Sequence, residues 1–145
     1  LLHGAFRGTS VEDIYAELAG GKIDGLALFA SDGDPLIERL QRSHLPVVLM
    51  ADGAPGLPSI IADDWDGARQ VAQYLHDKGH RRVVYRAINR YHAAGVRRRD
   101  GFHAAAQALG LTTTFLKADY APWQPEELAL LSRENPHRAT AVVCW

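Results

Sequence analysis

The sequence is poor in the residues that build covalent or metal-bound frameworks. It has one cysteine, Cys144, in 145 residues, so it can form neither an internal disulfide nor a cysteine-based zinc cluster. This composition fits a reducing compartment, and we expect a cytoplasmic protein. No apolar run approaches the roughly 20 residues of a membrane-spanning helix. The formal net charge is only −1, so the overall charge does not indicate a nucleic-acid-binding surface.

Several short motifs with known chemistry are also missing. The sequence has no Walker loop, no G-x-G-x-x-G and no G-x-S-x-G turn that would present a nucleophilic serine. His76 and His80 are four residues apart, but Gly79 should end the helix between them. Cys144 needs a neighbouring base to act as a nucleophile, and we interpret it as a small core residue. We therefore predict no catalytic residue, no metal and no cofactor.

Short apolar runs alternate with segments of helical periodicity along the chain. Residues 11, 14, 15 and 18 have the spacing of one buried helical face, after a cap at Thr9 or Ser10. Asp34 and Pro35 predict the cap and first residue of a second helix. Further helices are predicted from Asp64 to Gly79, over 96–109 and from Pro125 onward, and strands over 23–30, 47–50, 59–62, 83–85, 112–116 and 140–144. This alternation predicts an α/β fold with parallel sheets.

Residues that follow predicted strands are candidates for a binding site, because ligands of open α/β sheets bind at the carboxyl ends of the strands. Carboxylates and aromatic rings in these positions suit the hydroxyls and ring of a sugar or nucleoside. The candidates are Phe29, Ser31, Asp52, Asp63, His92 and Tyr120. Structural roles remain open for some of them, since Asp63 could cap a helix and Asp52 could belong to a turn.

Arg98 is the remaining candidate, and it lies within a basic triplet. It precedes Phe102, a predicted core residue, by one helical turn and follows a strand-to-helix loop. A guanidinium there offers fork-shaped donors to hydroxyls or carboxylates. We expect Arg97 and Arg99 to lie on a solvated helix face.

Six segments in order resemble the LacI/GalR family of bacterial transcription repressors. Residues 58–85, PSIIADDWDGARQVAQYLHDKGHRRVVY, resemble its strand, D-N-x-x-G, helix and G-H-R-x-(apolar strand). Residues 98–102, RRDGF, resemble its R-x-x-G-F. The other matches are Asp119-Tyr120 with G-D-(aromatic), 23–26 with V-D-G-(apolar), 45–48 with (apolar)-P-V-V and 140–144 with T-A-(apolar)-x-C.

The resemblance implies a type I periplasmic-binding-protein-like domain of two Rossmann-like lobes, approximately 1–63 and 64–145, with a ligand between them. We expect the sequence to be incomplete at both ends and to lack the DNA-binding headpiece. Arg98 would grip the effector and Tyr120 would lie against it, while Phe29, Ser31 and Asp52 would belong to the first lobe's side. The implied partners are a sugar-like or nucleobase-like effector, operator DNA through the headpiece, and a second copy in a homodimer, with no membrane partner.

The sequence departs from the family pattern in two places and leaves two rival functions open. Arg86 occupies a run that usually ends in two glycines, so it either alters the pocket or, as we favour, forms a structural ion pair. Asp63-Asp64 replaces the commoner Asp-Asn. One rival is a periplasmic sugar-binding protein of a transport system, and the other is a doubly wound α/β enzyme. The G-H-R-R run and the presence of only three lysines, Lys22, Lys78 and Lys117, favour the regulator over the transport protein.

Overall fold

The structure is a computed structural model that describes residues 10–21, 23–30, 33–88, 93–118 and 122–145. The chain divides into two compact units, Leu1–Ala62 and Asp63–Trp145. Their sequence-based interpretation as two lobes of one effector-binding domain stays a prediction. Each unit has its own parallel sheet and its own apolar core.

The first unit contains three short parallel strands in the order β1-β2-β3. Its elements are α1 (Val11–Ala19), β1 (Leu26–Leu28), α2 (Pro35–Gln41), β2 (Val47–Met50) and β3 (Ser59–Ile60). The Ser10 hydroxyl caps α1 by accepting a hydrogen bond from the backbone N–H of Asp13, and the Asp34 carboxylate caps α2 by accepting one from Leu36. Both caps satisfy backbone donors at a helix start, as the sequence predicts.

The core of the first unit joins the inner faces of its helices to the central strand. Its buried members are Ile14, Leu18, Leu36, Ile37, Leu40, Val47, Leu49 and Ala54. The residues from α1 are four apart, and those from α2 are the adjacent pair Leu36 and Ile37 with Leu40 one turn later, so each helix buries one face. Alternate residues of β2 are buried, as expected of a strand whose side chains point in turn to opposite faces.

The second unit contains three parallel strands in the order β5-β4-β6. Its elements are α3 (Asp64–Asp77), β4 (Arg82–Ile88), α4 (Ala93–Ala108), β5 (Thr112–Ala118), α5 (Pro125–Ala129) and β6 (Ala141–Cys144). Gly79 has φ +86° just after the end of α3, a conformation that glycine adopts without steric cost. The predicted end of this helix is confirmed.

Helices α3 and α4 pack together over one face of this sheet. The buried core consists of Ala68, Ala72, Val83, Tyr85, Phe102, Ala106, Leu111 and Val143. The Tyr85 ring lies 5.1 Å from that of Phe102, measured between centroids. Burial raises the pKa of Tyr85 to about 12, because a low-dielectric surrounding disfavours the phenolate.

The prediction of an α/β fold with parallel sheets is confirmed, although several boundaries differ. β4 was expected over 83–85 but continues to Ile88, and β5 continues to Ala118. Arg86 interrupts the apolar run of β4, yet the strand pairs with β5 and β6 through this position, and the cation is ion-paired.

Cys144 is exposed, so its expected role as a core residue is wrong. Side chains alternate along a strand, and Val143 already occupies the position on the α3/α4 face. Cys144 therefore points to the other face of the sheet.

Candidate functional site

The candidate site of the second unit is built around one buried carboxylate. Asp64, in the first turn of α3, has a side chain that is only 3% exposed. Its Oδ1 accepts a hydrogen bond from Arg98 Nε at 2.7 Å. Its Oδ2 accepts from Arg97 Nη2 at 2.8 Å and from Arg97 Nε at 3.2 Å. One carboxylate thus binds two neighbouring arginines of α4 with charge-assisted hydrogen bonds.

Arg97 consequently does not lie on a solvated face, and that expectation is wrong. Its side chain is held against α3 by a partner 33 residues earlier in the chain. Arg99 does fit the expectation, because its side chain is 54% exposed and pairs with the adjacent Asp100.

The start of α3 explains why Asp64 is placed for this role. The Asp63 carboxylate accepts a hydrogen bond from the backbone N–H of Asp66 at 2.9 Å and so caps the helix. Asp64 therefore lies in the first turn, where the helix dipole favours negative charge. Asp63 itself is exposed, and its predicted contact with a ligand stays a prediction.

A glycine in α4 allows the two helices to approach closely at this point. A Cβ atom on Gly101 would lie 2.6 Å from the backbone oxygen of Trp65 and 3.0 Å from its Cα. Gly101 is three residues after Arg98, so the two share a helix face. The close backbone contact therefore also brings Arg98 to Asp64.

Arg98 is held at one nitrogen and covered by an aromatic ring. Its side chain is 34% exposed, and among the described residues its two terminal nitrogens donate no hydrogen bond. The guanidinium carbon Cζ lies 4.9 Å from the centroid of the Trp145 ring, within range of a cation–π interaction. The arrangement presents a fixed, partly exposed guanidinium at the carboxyl side of the sheet, which can donate to oxygen atoms of a ligand.

On the other face of this sheet, Arg86 forms the structural ion pair that we favoured. Its Nη2 lies 3.3 Å from Glu127 Oε2, and each side chain is 12% exposed. Its Cζ lies 4.7 Å from the Trp123 ring centroid. The pKa of Glu127 is lowered, first by the backbone N–H of Gln124 and then by Arg86. These contacts fasten the start of α5 to β4.

Two predicted residues of the first unit follow its strands but differ in burial. Phe29 comes directly after β1 and is 71% exposed, whereas Asp52 is 6% exposed and lies two residues after β2. Ala51, between β2 and Asp52, has φ +73°, a conformation that costs energy for a residue with a Cβ. Ligand contact by Phe29 and Asp52 stays a prediction.

Three further predicted residues, Ser31, His92 and Tyr120, lie outside the described residues. Sequence reasoning did not select Asp64 or Trp145 as site residues. The available signal for Asp64 was an aspartate at the position where the family pattern has asparagine, in a chain that also carries the arginine triplet 97–99. The signal for Trp145 was its position two residues beyond the core residue Val143, directly after an alternating strand.

Other features of the second unit lie apart from the arginines. A recess of about 330 Å³ contains none of the predicted ligand residues; its lining is Leu131, Arg138, Ala139, Thr140, Ala141 and Val142. His80 Nδ1 lies 2.9 Å from the Thr140 hydroxyl. In the described part of the chain, no three His, Cys, Asp or Glu side chains cluster as metal ligands would. In the same ranges, no helix combines the length and apolarity needed to cross a membrane.

Parallel sheets flanked by helices, with polar side chains near the strand ends, define an open α/β ligand-binding class to which periplasmic-binding-protein-like domains belong. Residues 6–144 match the profile of the family described as periplasmic binding proteins and sugar binding domain of LacI family. The chain belongs to this family, and the resemblance inferred from the sequence is confirmed.

Three known proteins illustrate the relationship. The HTH-type transcriptional regulator CelR of Thermobifida fusca is 30% identical over 142 residues, which cover 93% of this chain and 41% of CelR. A LacI family transcriptional regulator from Bifidobacterium animalis subsp. lactis has the same fold, with a TM-score of 0.74 at 24% identity over 98% of this chain and 53% of that one. A structure described as a transcriptional regulator CelR–cellobiose complex matches with a TM-score of 0.63 at 29% identity, over 79% of this chain and 37% of that one. The chain therefore spans only part of the relatives it matches.

Proposed function

We propose that this chain is the effector-sensing part of a transcription regulator that binds a small sugar or sugar-like molecule. The observation that carries the proposal is the geometry of Arg98. Its Nε donates a hydrogen bond to the Asp64 carboxylate at 2.7 Å, and this bond fixes the plane of the guanidinium. The terminal nitrogens, which make no hydrogen bond to the described residues, remain as a pair of donors for sugar oxygens.

Family membership supports a sugar-binding domain, and the named relatives support a regulator over the two rivals. The family description covers both periplasmic binding proteins and sugar-binding domains of LacI family, and the relatives above are transcription regulators. One of them is described in complex with cellobiose. These facts favour a sugar effector and a regulator over a transport-type binding protein or an enzyme.

The proposed mechanism is a linkage between effector binding and DNA binding. An effector that binds one conformational state more tightly shifts the population toward that state. A difference of about 1–3 kcal/mol between the states is enough for useful coupling. The regulator would act as a cytoplasmic homodimer and contact operator DNA through a headpiece outside these 145 residues.

Replacing Arg98 tests the proposal. In the intact protein, Arg98→Ala should weaken sugar binding by more than about 1.5 kcal/mol, roughly tenfold, because charge-assisted hydrogen bonds are lost. The measurement is calorimetry with cellobiose, D-glucose, D-galactose, D-xylose and D-ribose, with adenine and uracil included to test a nucleobase effector. Arg99→Ala is the matched control, since this neighbouring arginine pairs with Asp100 at the surface.

Three outcomes separate the possibilities. A tenfold loss in Arg98→Ala with an unchanged Arg99→Ala supports the assignment. Equal affinities in all three proteins remove Arg98 from the site. Binding of nucleobases alone, or of none of these compounds, overturns the sugar assignment.

A further inference from the structure

We propose that Trp145 is a second ligand-contacting residue of this site, on which a ring of the sugar packs while Arg98 donates to its oxygens. This inference rests on the proposed function and extends it to a specific ligand shape, a cyclic sugar with an apolar ring face. Neither the family's motifs nor the sequence-based candidates include this residue.

The strand alternation places Trp145 on the site's side of the sheet. Val143 belongs to the core beneath α3 and α4, and Cys144 faces the other way. Trp145 directly follows β6, two residues after Val143, and its contact with Arg98 of α4 places it on the α3/α4 side. Its backbone N–H donates to the carbonyl oxygen of Arg86 at 3.4 Å, which ties the residue to the neighbouring strand.

The contact with Arg98 brings two kinds of ligand-binding surface together. The guanidinium lies 4.9 Å from the Trp145 ring centroid, and the tryptophan is still 37% exposed. A sugar in its cyclic form has a face of C–H bonds and a rim of hydroxyls. The guanidinium covers part of the Trp145 ring, so the sugar face packs on the part that stays exposed while the arginine fork reaches the rim. A free open-chain polyol offers the same hydroxyls without the flat face.

The pair formed by Trp123 and Arg86 shows what a structural version of this contact looks like. Arg86 Cζ lies at a similar distance, 4.7 Å, from the Trp123 ring centroid. Arg86 is, however, ion-paired to Glu127, and each of these two charged side chains is only 12% exposed. Arg86 is adjacent to Tyr85 in β4, so it lies on the sheet face opposite the core under α3 and α4. Trp123 therefore serves as a matched control for Trp145.

The first test measures affinity in the intact protein with cellobiose or, if another sugar of the panel binds more tightly, with that sugar. Trp145→Ala should weaken binding by about tenfold, because the indole ring no longer packs on the apolar face of the sugar. Trp145→Tyr keeps a ring and should recover most of that loss, whereas Trp123→Ala should stay within about twofold of the wild type. The corresponding alditol, which has no flat ring face, should bind the wild type and Trp145→Ala with similar affinities.

The second test detects the contact directly and does not depend on the folding of Trp145→Ala. Trp65→Phe and Trp123→Phe are combined, with and without Trp145→Phe, and acrylamide quenching of fluorescence is measured for both proteins. The difference between them isolates the emission of Trp145. Saturating sugar should reduce the quenching of this emission, because a packed ligand excludes acrylamide from the ring.

The results distinguish this inference from the function on which it rests. Sugar binding that is unaffected by Trp145→Ala, or a Trp145 signal that saturating sugar does not protect, overturns the role of Trp145 and leaves the sensing function standing. Lower affinity without protection assigns Trp145 to the support of Arg98 and also overturns ligand contact. If no sugar of the panel binds, both proposals fail.

Discussion

Gly101→Ala isolates the helix contact on which the arginine site depends. The substitution adds one methyl group in the middle of α4, at a buried position. That methyl carbon would lie 2.6 Å from the backbone oxygen of Trp65 and 3.2 Å from its carbonyl carbon. The obstacle is backbone, so no side-chain rotation relieves it and the two helices must move apart.

Two opposing effects determine the outcome. Alanine is favoured over glycine in a helix interior by about 1 kcal/mol. Overpacking against rigid backbone costs roughly 1–3 kcal/mol, and helix separation also weakens charge-assisted hydrogen bonds worth about 1.5–3 kcal/mol each. The steric and polar losses exceed the gain in helix propensity. We therefore expect Gly101→Ala to destabilise the protein by about 2–3 kcal/mol.

Gly67→Ala provides the matched control because it makes the same chemical change in α3. Apart from its chain neighbours and the backbone of its own helix, no described heavy atom lies within 4 Å of the position that its Cβ would take. Here only the propensity effect acts, and we expect a stabilisation of about 0.5–1 kcal/mol. Urea unfolding of the intact proteins, followed by circular dichroism, compares the two midpoints with the wild type.

Sugar calorimetry on the same variants links stability to the site. Gly101→Ala should also lower the affinity, because Asp64 retreats from Arg98, whereas Gly67→Ala should leave the affinity unchanged. If Gly101→Ala raised the urea midpoint as Gly67→Ala does, the close approach of α3 and α4 would be refuted, together with the explanation of how Arg98 is positioned.

Two further predictions concern ionisable groups of the second unit. The Tyr85 hydroxyl is buried and has no hydrogen-bond partner among the described residues, so Tyr85→Phe should be neutral or stabilise the protein by up to about 1–2 kcal/mol in urea unfolding. The folded-state pKa of Tyr85 is about 12 against an ordinary value of 10.0. Its neutral form therefore stabilises the fold below pH 10. As the pH rises through 12, roughly 3 kcal/mol of the free energy of unfolding should be lost in the wild type but not in Tyr85→Phe. Equal alkaline losses in the two proteins would contradict this. The pKa of Glu127 is lowered from 4.5, so its ionised form stabilises the fold above pH 4.5 and this contribution disappears as the pH falls through the lowered value. Glu127→Gln should flatten the acid side of the stability profile, and a profile parallel to that of the wild type would show that the carboxylate contributes nothing.

Local features of the sequence predicted the elements of the fold. Ser10 and Asp34 lie two or three residues before the N–H groups that they cap, and Gly79 follows the end of its helix. Periodic apolar residues selected the faces that each core buries, including Phe102 and Ala106 of α4. The order of the family motifs then indicated the sugar-binding family. The information on caps, turns and buried faces lies within a few residues of the position concerned, whereas the order of the motifs spans most of the chain.

The sequence by itself determined which segments form helices and strands, and it singled out Arg98 as a candidate for the site. The tertiary structure decided what holds that arginine: a carboxylate 34 residues earlier in the chain, which reaches it because a glycine lets two helix backbones nearly touch. It also decided that Arg97 turns inward, that Cys144 is exposed and that Trp145 lies beside the guanidinium. A periodic pattern indicates which face of an element is buried, but the partner across that face depends on how separate elements pack, and no local rule contains that information.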